Sequence, residues 1–178
     1  MSTTEQQQIS VPTGTWRADV VHSSLTFDVQ YMGIATFSGA VKDFDATLAD
    51  GSLVGAARIA SLATQDENLH GHLLSPEFFD AERYPEVAFS GVLAAAGDGV
   101  EIDGEITIKG VTKPAILRGT ITGPVTDPYG NPRYGLALET TIDRTEYGIV
   151  WNADMPDGTK ALANDVTLKA QLSLVAAA

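Results

Sequence analysis

A chain of 178 residues, 44% of them hydrophobic, is long enough for one globular domain with a core of its own. The absence of cysteine excludes disulfides, thiolate metal sites and cysteine nucleophiles, and a net charge of −12 argues against nucleic acid or an anionic membrane surface as partner. Apart from a short Ala-rich end after Leu174, no apolar run approaches the roughly 20 residues that span a bilayer, so no stable membrane insertion is expected.

Residues 1–11 have no basic n-region and no apolar h-region; they read as a disordered polar tail rather than a secretory signal, which points to a cytoplasmic protein. From 12 to 178 the pattern is that of one domain dominated by period-two alternation. Leu25, Phe27, Val29 and Tyr31 share one face, and Phe37, Gly39 and Val41 repeat the parity. The parity slips at Lys42-Asp43, as a bulge or bend would cause, and Phe44, Ala46 and Leu48 continue. After the turn signal Asp50-Gly51, Leu53 to Ala63 reads as one strand with Ala57 and Ile59 inward.

The segment from His70 to Phe89 breaks this rhythm. Ser75 suits an N-cap, Pro76 the first helical position, and Glu77 the first turn, so helix is expected within roughly 66–81. A single turn carrying Phe78 and Phe79 is unstable alone and needs an apolar hole to plug. Alternation resumes with Val87 and Phe89, turns at Gly97-Asp98-Gly99, and continues through Val100, Ile102, Gly104, Ile106 and Ile108. Ala115 to Ile121, Tyr134 to Ile142 and the run Val166, Leu168, Ala170, Leu172, Leu174 complete the pattern. About eight strands, each with one apolar face and several of them long, favour an antiparallel barrel over a two-sheet sandwich, because closure removes edges and the bare face together.

Polar constellations carry less. His70 and His72 form an H-x-H pair that His22 could join in a barrel mouth, but no third ligand is fixed by spacing, so no metal is expected. The simpler role for His22 and His72 is hydrogen bonding that positions the segment of Phe78 and Phe79. The acids Asp66, Glu67, Glu77, Asp80, Glu82 and Glu86 read as solvated or capping groups. No catalytic residue is assigned: Ser23 and Ser24 lack a nucleophile elbow, and no phosphate-binding glycine motif occurs. Lys109 to Pro114 reads as a hairpin turn whose lysines favour solubility, with a rim phosphate site as its alternative. Arg144 reads as structural, paired with Asp143, Glu146 or a neighbouring strand.

Five pieces in order carry a resemblance: WRADVVHS from Trp16 to Ser23, FSGAVKDFDATL from Phe37 to Leu48, HLLSPEFFDAERYPEVAF from His72 to Phe89, ITIKGVTKPAIL from Ile106 to Leu117, and TIDRTEYGI from Thr141 to Ile149. Together they resemble the YceI-like, polyisoprenoid-binding family of lipocalin-like barrels. The resemblance implies an all-β fold, an extended eight-stranded antiparallel barrel with one or two short helices around 66–81, whose apolar interior holds an isoprenoid or similar lipid. Tyr31, Leu69-His70 and Leu74 stand where relatives commonly carry histidine, Arg-Asp and arginine, so headgroup contacts are not carried over.

With the alternation, this reading places Phe27, Val29, Phe37, Phe44, Ile59, Phe78, Phe79, Phe89, Ile106 and Leu136 along the ligand-facing interior. Inward small residues, Gly39, Ala57, Gly104, Gly119 and Ala170, are expected to leave the space. Burying about 20 carbons at about 0.8 kcal/mol each supplies on the order of 15 kcal/mol gross, enough for tight binding without a headgroup. The expected partner is thus an apolar isoprenoid-like small molecule, bound, sequestered or transported with no cofactor; self-association into a homodimer is left open. The alternatives are a lipid-modifying or stress-related enzyme using the His70/His72 segment, and a structural barrel filled by its own side chains.

Overall fold

The structure, a computed structural model, describes residues 11–177. Its strands are β1 (Thr15–Ala18), β2 (Ser24–Tyr31), β3 (Ala35–Val41), β4 (Phe44–Ala49), β5 (Ser52–Arg58), β6 (Leu62–Ala63), β7 (Glu86–Ala96), β8 (Gly99–Ile108), β9 (Val111–Thr126), β10 (Pro132–Asp143) and β11 (Leu162–Ala176). One α-helix, α1 (Glu67–Leu74), lies between β6 and β7, and short 3-10 turns cover Val20–His22, Ile59–Ser61 and Arg144–Tyr147.

These eleven strands form eight staves. β1 and β2 pair in succession along the same edge of β11; β4 follows β3, pairing with β1 and β2 respectively; β5 and β6 pair with β4 and β3. Each of these three couples is one stave broken at its middle. β7 to β11 are unbroken, every neighbouring pair is antiparallel, and pairing of β1 with β11 closes the barrel.

The parity slip at Lys42-Asp43 is the break between β3 and β4. The long strand expected from Leu53 to Ala63 is interrupted by the turn Ile59–Ser61. There the Ser61 hydroxyl donates to the Arg58 carbonyl at 2.7 Å and accepts from the Asp43 amide at 2.8 Å, locking the two breaks together as a waist. The two-residue turns Asp50-Gly51 and Lys109-Gly110 have positive φ at both positions (48° and 87°, 51° and 76°), the twist that tight hairpins need.

Below the waist the barrel is largely filled by its own side chains. Leu48, Ile102, Leu136 and Leu174 are at most 1% exposed and interdigitate from facing staves, while Trp16 stands edge-on to Tyr134 at 4.8 Å. The expected disordered tail lies outside the described residues except for Val11, which packs on this filled end. Among the described residues no helix is long and apolar enough to cross a membrane.

Arg133 of β10 fastens the seam of this end. Its Nε donates to Asp127 Oδ2 at 2.8 Å, and its Nη1 donates to Asp19 Oδ2 at 2.9 Å and to Ser173 Oγ at 3.2 Å. Hydrogen bonds from His22 and Arg133 hold the Asp19 carboxyl at about 2, and Arg133 with the Asn131 amide holds Asp127 at about 2, both below the ordinary 3.8. A depressed carboxyl contributes stability that is present above its unfolded value and lost as pH falls through its folded one. The urea midpoint is therefore expected to fall between pH 4 and pH 2, and Arg133→Gln to lower it at pH 5 and flatten its acid limb. An acid limb as steep in the variant as in the parent would assign that loss to other groups.

Candidate functional site

Above the waist the bore opens into a cavity of about 450 Å3. Alternate residues of the surrounding strands point into it: Phe27 and Val29 from β2, Phe37 from β3, Ile142 from β10 and Leu168 from β11. Among the described residues, the polar members of its wall are Thr26, Tyr31, His72, Arg144 and Tyr147. A second cavity of about 120 Å3 lies toward the filled end and is bordered by Phe44, Phe89, Ile106 and Ala170.

α1 and the turn after it form the lid. Asp66 caps the helix by accepting the Leu69 amide at 3.0 Å, and Glu67 sits in the first turn where an acid complements the helix dipole. Leu69, His72 and Leu73, spaced as one helical stripe, line the cavity. Ser75 is not the N-cap that the sequence suggested; it closes the helix, its hydroxyl donating to the His72 carbonyl at 2.6 Å. Phe78 and Phe79 follow in a turn rather than a helix: the Phe78 amide bonds the Ser75 carbonyl and the Phe79 amide the Leu73 carbonyl, both at 3.0 Å. The turn still delivers both rings to the cavity wall.

Around Phe78 the lid is aromatic. His72 meets the edge or face of Phe78 and Trp151 at 4.8 and 4.9 Å, and its Nε2 is hydrogen-bonded to Glu77. Lys109, at the tip of the β8–β9 hairpin, donates to the Pro76 carbonyl at 2.7 Å, so this lysine holds the lid and the segment acts as a turn. Bonded to the backbone of that same Trp151, Arg144 is buried and has no carboxylate partner among the described residues. Its Nε donates to Ala163 O, its Nη1 to Ile149 O and Trp151 O, each at 2.8 Å, and its Nη2 to Leu162 O at 3.3 Å. Burial draws its pKa below the ordinary arginine value. Pairing with Asp143 fails because that carboxylate caps the next turn, accepting from the Thr145 amide and hydroxyl.

The YceI-like domain family matches residues 16–174, nearly the whole barrel. The chain belongs to the YceI-like family. A UPF0312 protein of Photorhabdus laumondii is 30% identical over 155 residues, covering 83% of this chain and 79% of that one. Among solved structures, Burkholderia cenocepacia BcnA superposes with a TM-score of 0.75 at 21% identity, covering 90% of this chain and 99% of its own. A polyisoprenoid-binding domain from Saccharophagus degradans superposes with a TM-score of 0.67 at 12% identity, covering 91% and 98%.

In this YceI-like barrel, Phe27, Val29, Phe37, Ile59, Phe78 and Phe79 line the larger cavity, and Phe44, Phe89 and Ile106 the smaller. Leu136 lines neither, because it lies in the filled end among Leu48, Ile102 and Leu174. Trp151, Tyr147 and Leu168 were missed as wall residues; the period-two spacing of Tyr147, Ile149 and Trp151 was the available signal. The histidines do not converge. His70 and His72 sit on α1 rather than a loop, about 200° apart around its axis at 3.6 residues per turn. His22 is exposed at the junction of β1 and β2, bonded to Asp19 at 2.7 Å. Of the segment's acids, Asp80 is buried rather than solvated, with Arg83 at 3.7 Å.

The small inward residues divide into two kinds. A Cβ on Gly104 or Gly119 would stand 2.1 or 1.6 Å from a carbonyl oxygen of the next strand, and one on Gly39 would meet the Phe27 ring at 2.5 Å. These glycines allow close approach and leave no space, whereas Ala57 and Ala170 do border the cavities.

Proposed function

We propose that this barrel binds a long apolar molecule of the isoprenoid kind and carries or sequesters it. The observation that carries this reading is the 450 Å3 cavity itself, walled by phenylalanine and branched aliphatic side chains and roofed by aromatic rings. A site of that size lies in the range of small-molecule pockets, and an apolar hollow gains most from an apolar guest. The YceI-like family and the fold shared with a polyisoprenoid-binding domain support it. The rival reading, a barrel filled by its own side chains, fits most of the end below the waist but not the hollow above it.

The test is native mass spectrometry of the freshly purified protein, with extraction of any bound lipid, followed by titration of the delipidated protein with farnesol. Trp151 lines the cavity and Trp16 lies in the filled end, so in a Trp16→Phe background the emission reports the site alone. Saturable, one-to-one change in Trp151 emission is expected. A protein that carries no lipid and whose emission ignores every apolar ligand would refute the reading.

A further inference from the structure

The rim of the larger cavity is apolar on its outer side as well. Tyr31 lines the cavity and is 44% exposed, so the hollow reaches solvent there. Three segments are stitched into this rim. Tyr31 pairs with Leu162, and the Met32 amide donates to the Ala161 carbonyl at 2.6 Å. The Asn152 side chain brackets Leu162, its Nδ2 donating to the carbonyl at 2.6 Å and its Oδ1 accepting the amide at 2.8 Å. Next to the lining residues Tyr31 and Trp151, the side chains of Met32, Ile34 and Val150 stand outside the cavity, Ile34 82% and Val150 66% exposed. Resting on the binding reading above, we propose that this rim docks reversibly on an uncharged lipid surface, so that the apolar ligand passes between that surface and the cavity without crossing water.

Single exposed apolar residues are ordinary on a protein surface; here they gather on the lip of an apolar hollow. The chain is 19% charged, yet Gln30 to Val41, Tyr147 to Ala153 and Ala161 to Asn164, the stretches that build the rim, contain no charged residue. The acids that flank them, Glu77 and Asp154, are paired with His72 and Lys160. A net charge of −12 repels an anionic surface, but a neutral rim meets a zwitterionic one without that cost. The hairpin at the rim carries the same bias. In the Asp50-Gly51 and Lys109-Gly110 turns a charged residue takes the first positive-φ position. In the β2–β3 hairpin the corresponding pair is Met32-Gly33 (55° and 71°), with an apolar side chain where Asn or Asp is the usual choice. Tyr31 and Trp151 beside it are the residue types that settle at the headgroup level of a bilayer. A second copy of the chain seated on this rim would instead cover the mouth that the ligand must use.

The test is flotation of the protein with phosphatidylcholine vesicles, alongside the farnesol titration read by Trp151 emission. The parent is expected to float with these vesicles, and to float less as phosphatidylglycerol replaces part of the phosphatidylcholine. Ile34→Gln combined with Val150→Gln should weaken vesicle binding about tenfold or more, because each removes an apolar side chain that lipid would cover. Farnesol affinity should be unchanged in that variant, because neither residue lines the cavity. Tyr129→Gln, as exposed but in the β9–β10 hairpin at the filled end, should leave flotation as it is. Circular dichroism confirms that each variant is folded. A parent that binds farnesol but does not float, or a double variant that floats as well as the parent, would overturn the docking and leave the binding reading intact. A parent that sediments as a dimer, with the double variant a monomer, would overturn it in favour of a second copy on the rim. A parent that neither binds farnesol nor floats would overturn both readings.

Discussion

Replacing Arg144 with alanine is expected to destabilise the barrel by about 3–5 kcal/mol. The guanidinium is buried and its donors satisfy the carbonyls of Ile149, Trp151, Leu162 and Ala163, which belong to chain segments with no strand pairing to each other at that point. Alanine removes the side-chain donor from the Ile149, Trp151 and Ala163 carbonyls, while the Leu162 carbonyl keeps the Asn152 amide at 2.6 Å; each unpaired buried polar group costs about 1–3 kcal/mol, less where water can enter. The aliphatic stem is lost as well. Lysine restores a charge but not a planar fork, so Arg144→Lys should recover only part of the loss. Urea denaturation gives the free energy directly. A loss below about 1 kcal/mol would mean that solvent already reaches these carbonyls, against the burial seen for Arg144. Because Ile149 and Trp151 line the cavity, Arg144→Ala should also weaken apolar binding.

How far the sequence could be read follows from where each instruction is stored. β11 was legible because its five apolar positions from Val166 to Leu174 alternate without interruption, and its neighbours keep the same register. The break at Ile59–Ser61 was not, because it depends on bonds from one serine hydroxyl to Arg58 and to Asp43, 18 residues away. The helix was found in the right segment but with the wrong cap. Asp66 and Ser75 are both good N-caps by local chemistry. What chooses Asp66 is tertiary: it puts Leu69, His72 and Leu73 on one stripe over the cavity, which a helix starting at Ser75 would not do.

The site divides along the same line. Inward positions on strands follow from alternation, so Phe27, Val29 and Phe37 could be named in advance. Whether a small inward residue leaves a void is not a local property. Gly104 and Ala57 look alike in a sequence, yet one is pressed against a neighbouring carbonyl and the other borders open space. Arg144 was recognised as structural, but its partners are backbone carbonyls, which have no signature in side-chain identity.

Ala57→Phe is expected to abolish, or weaken at least tenfold, the binding of apolar chains while leaving the barrel folded. Ala57 is buried on β5, between Phe44 of β4 and Val87 of β7, and borders both cavities. A phenyl ring there would enter the space that Ala57 borders in both cavities. Overpacking a core typically costs about 1–3 kcal/mol, but here the ring projects toward space that is already open, so the cost should fall at the low end. Circular dichroism and the urea midpoint establish that the fold survives. Farnesol titration followed by Trp151 emission then reads the affinity, a tenfold loss corresponding to about 1.4 kcal/mol. A folded variant that binds as tightly as the parent would place the ligand outside the barrel and leave the cavity without an occupant.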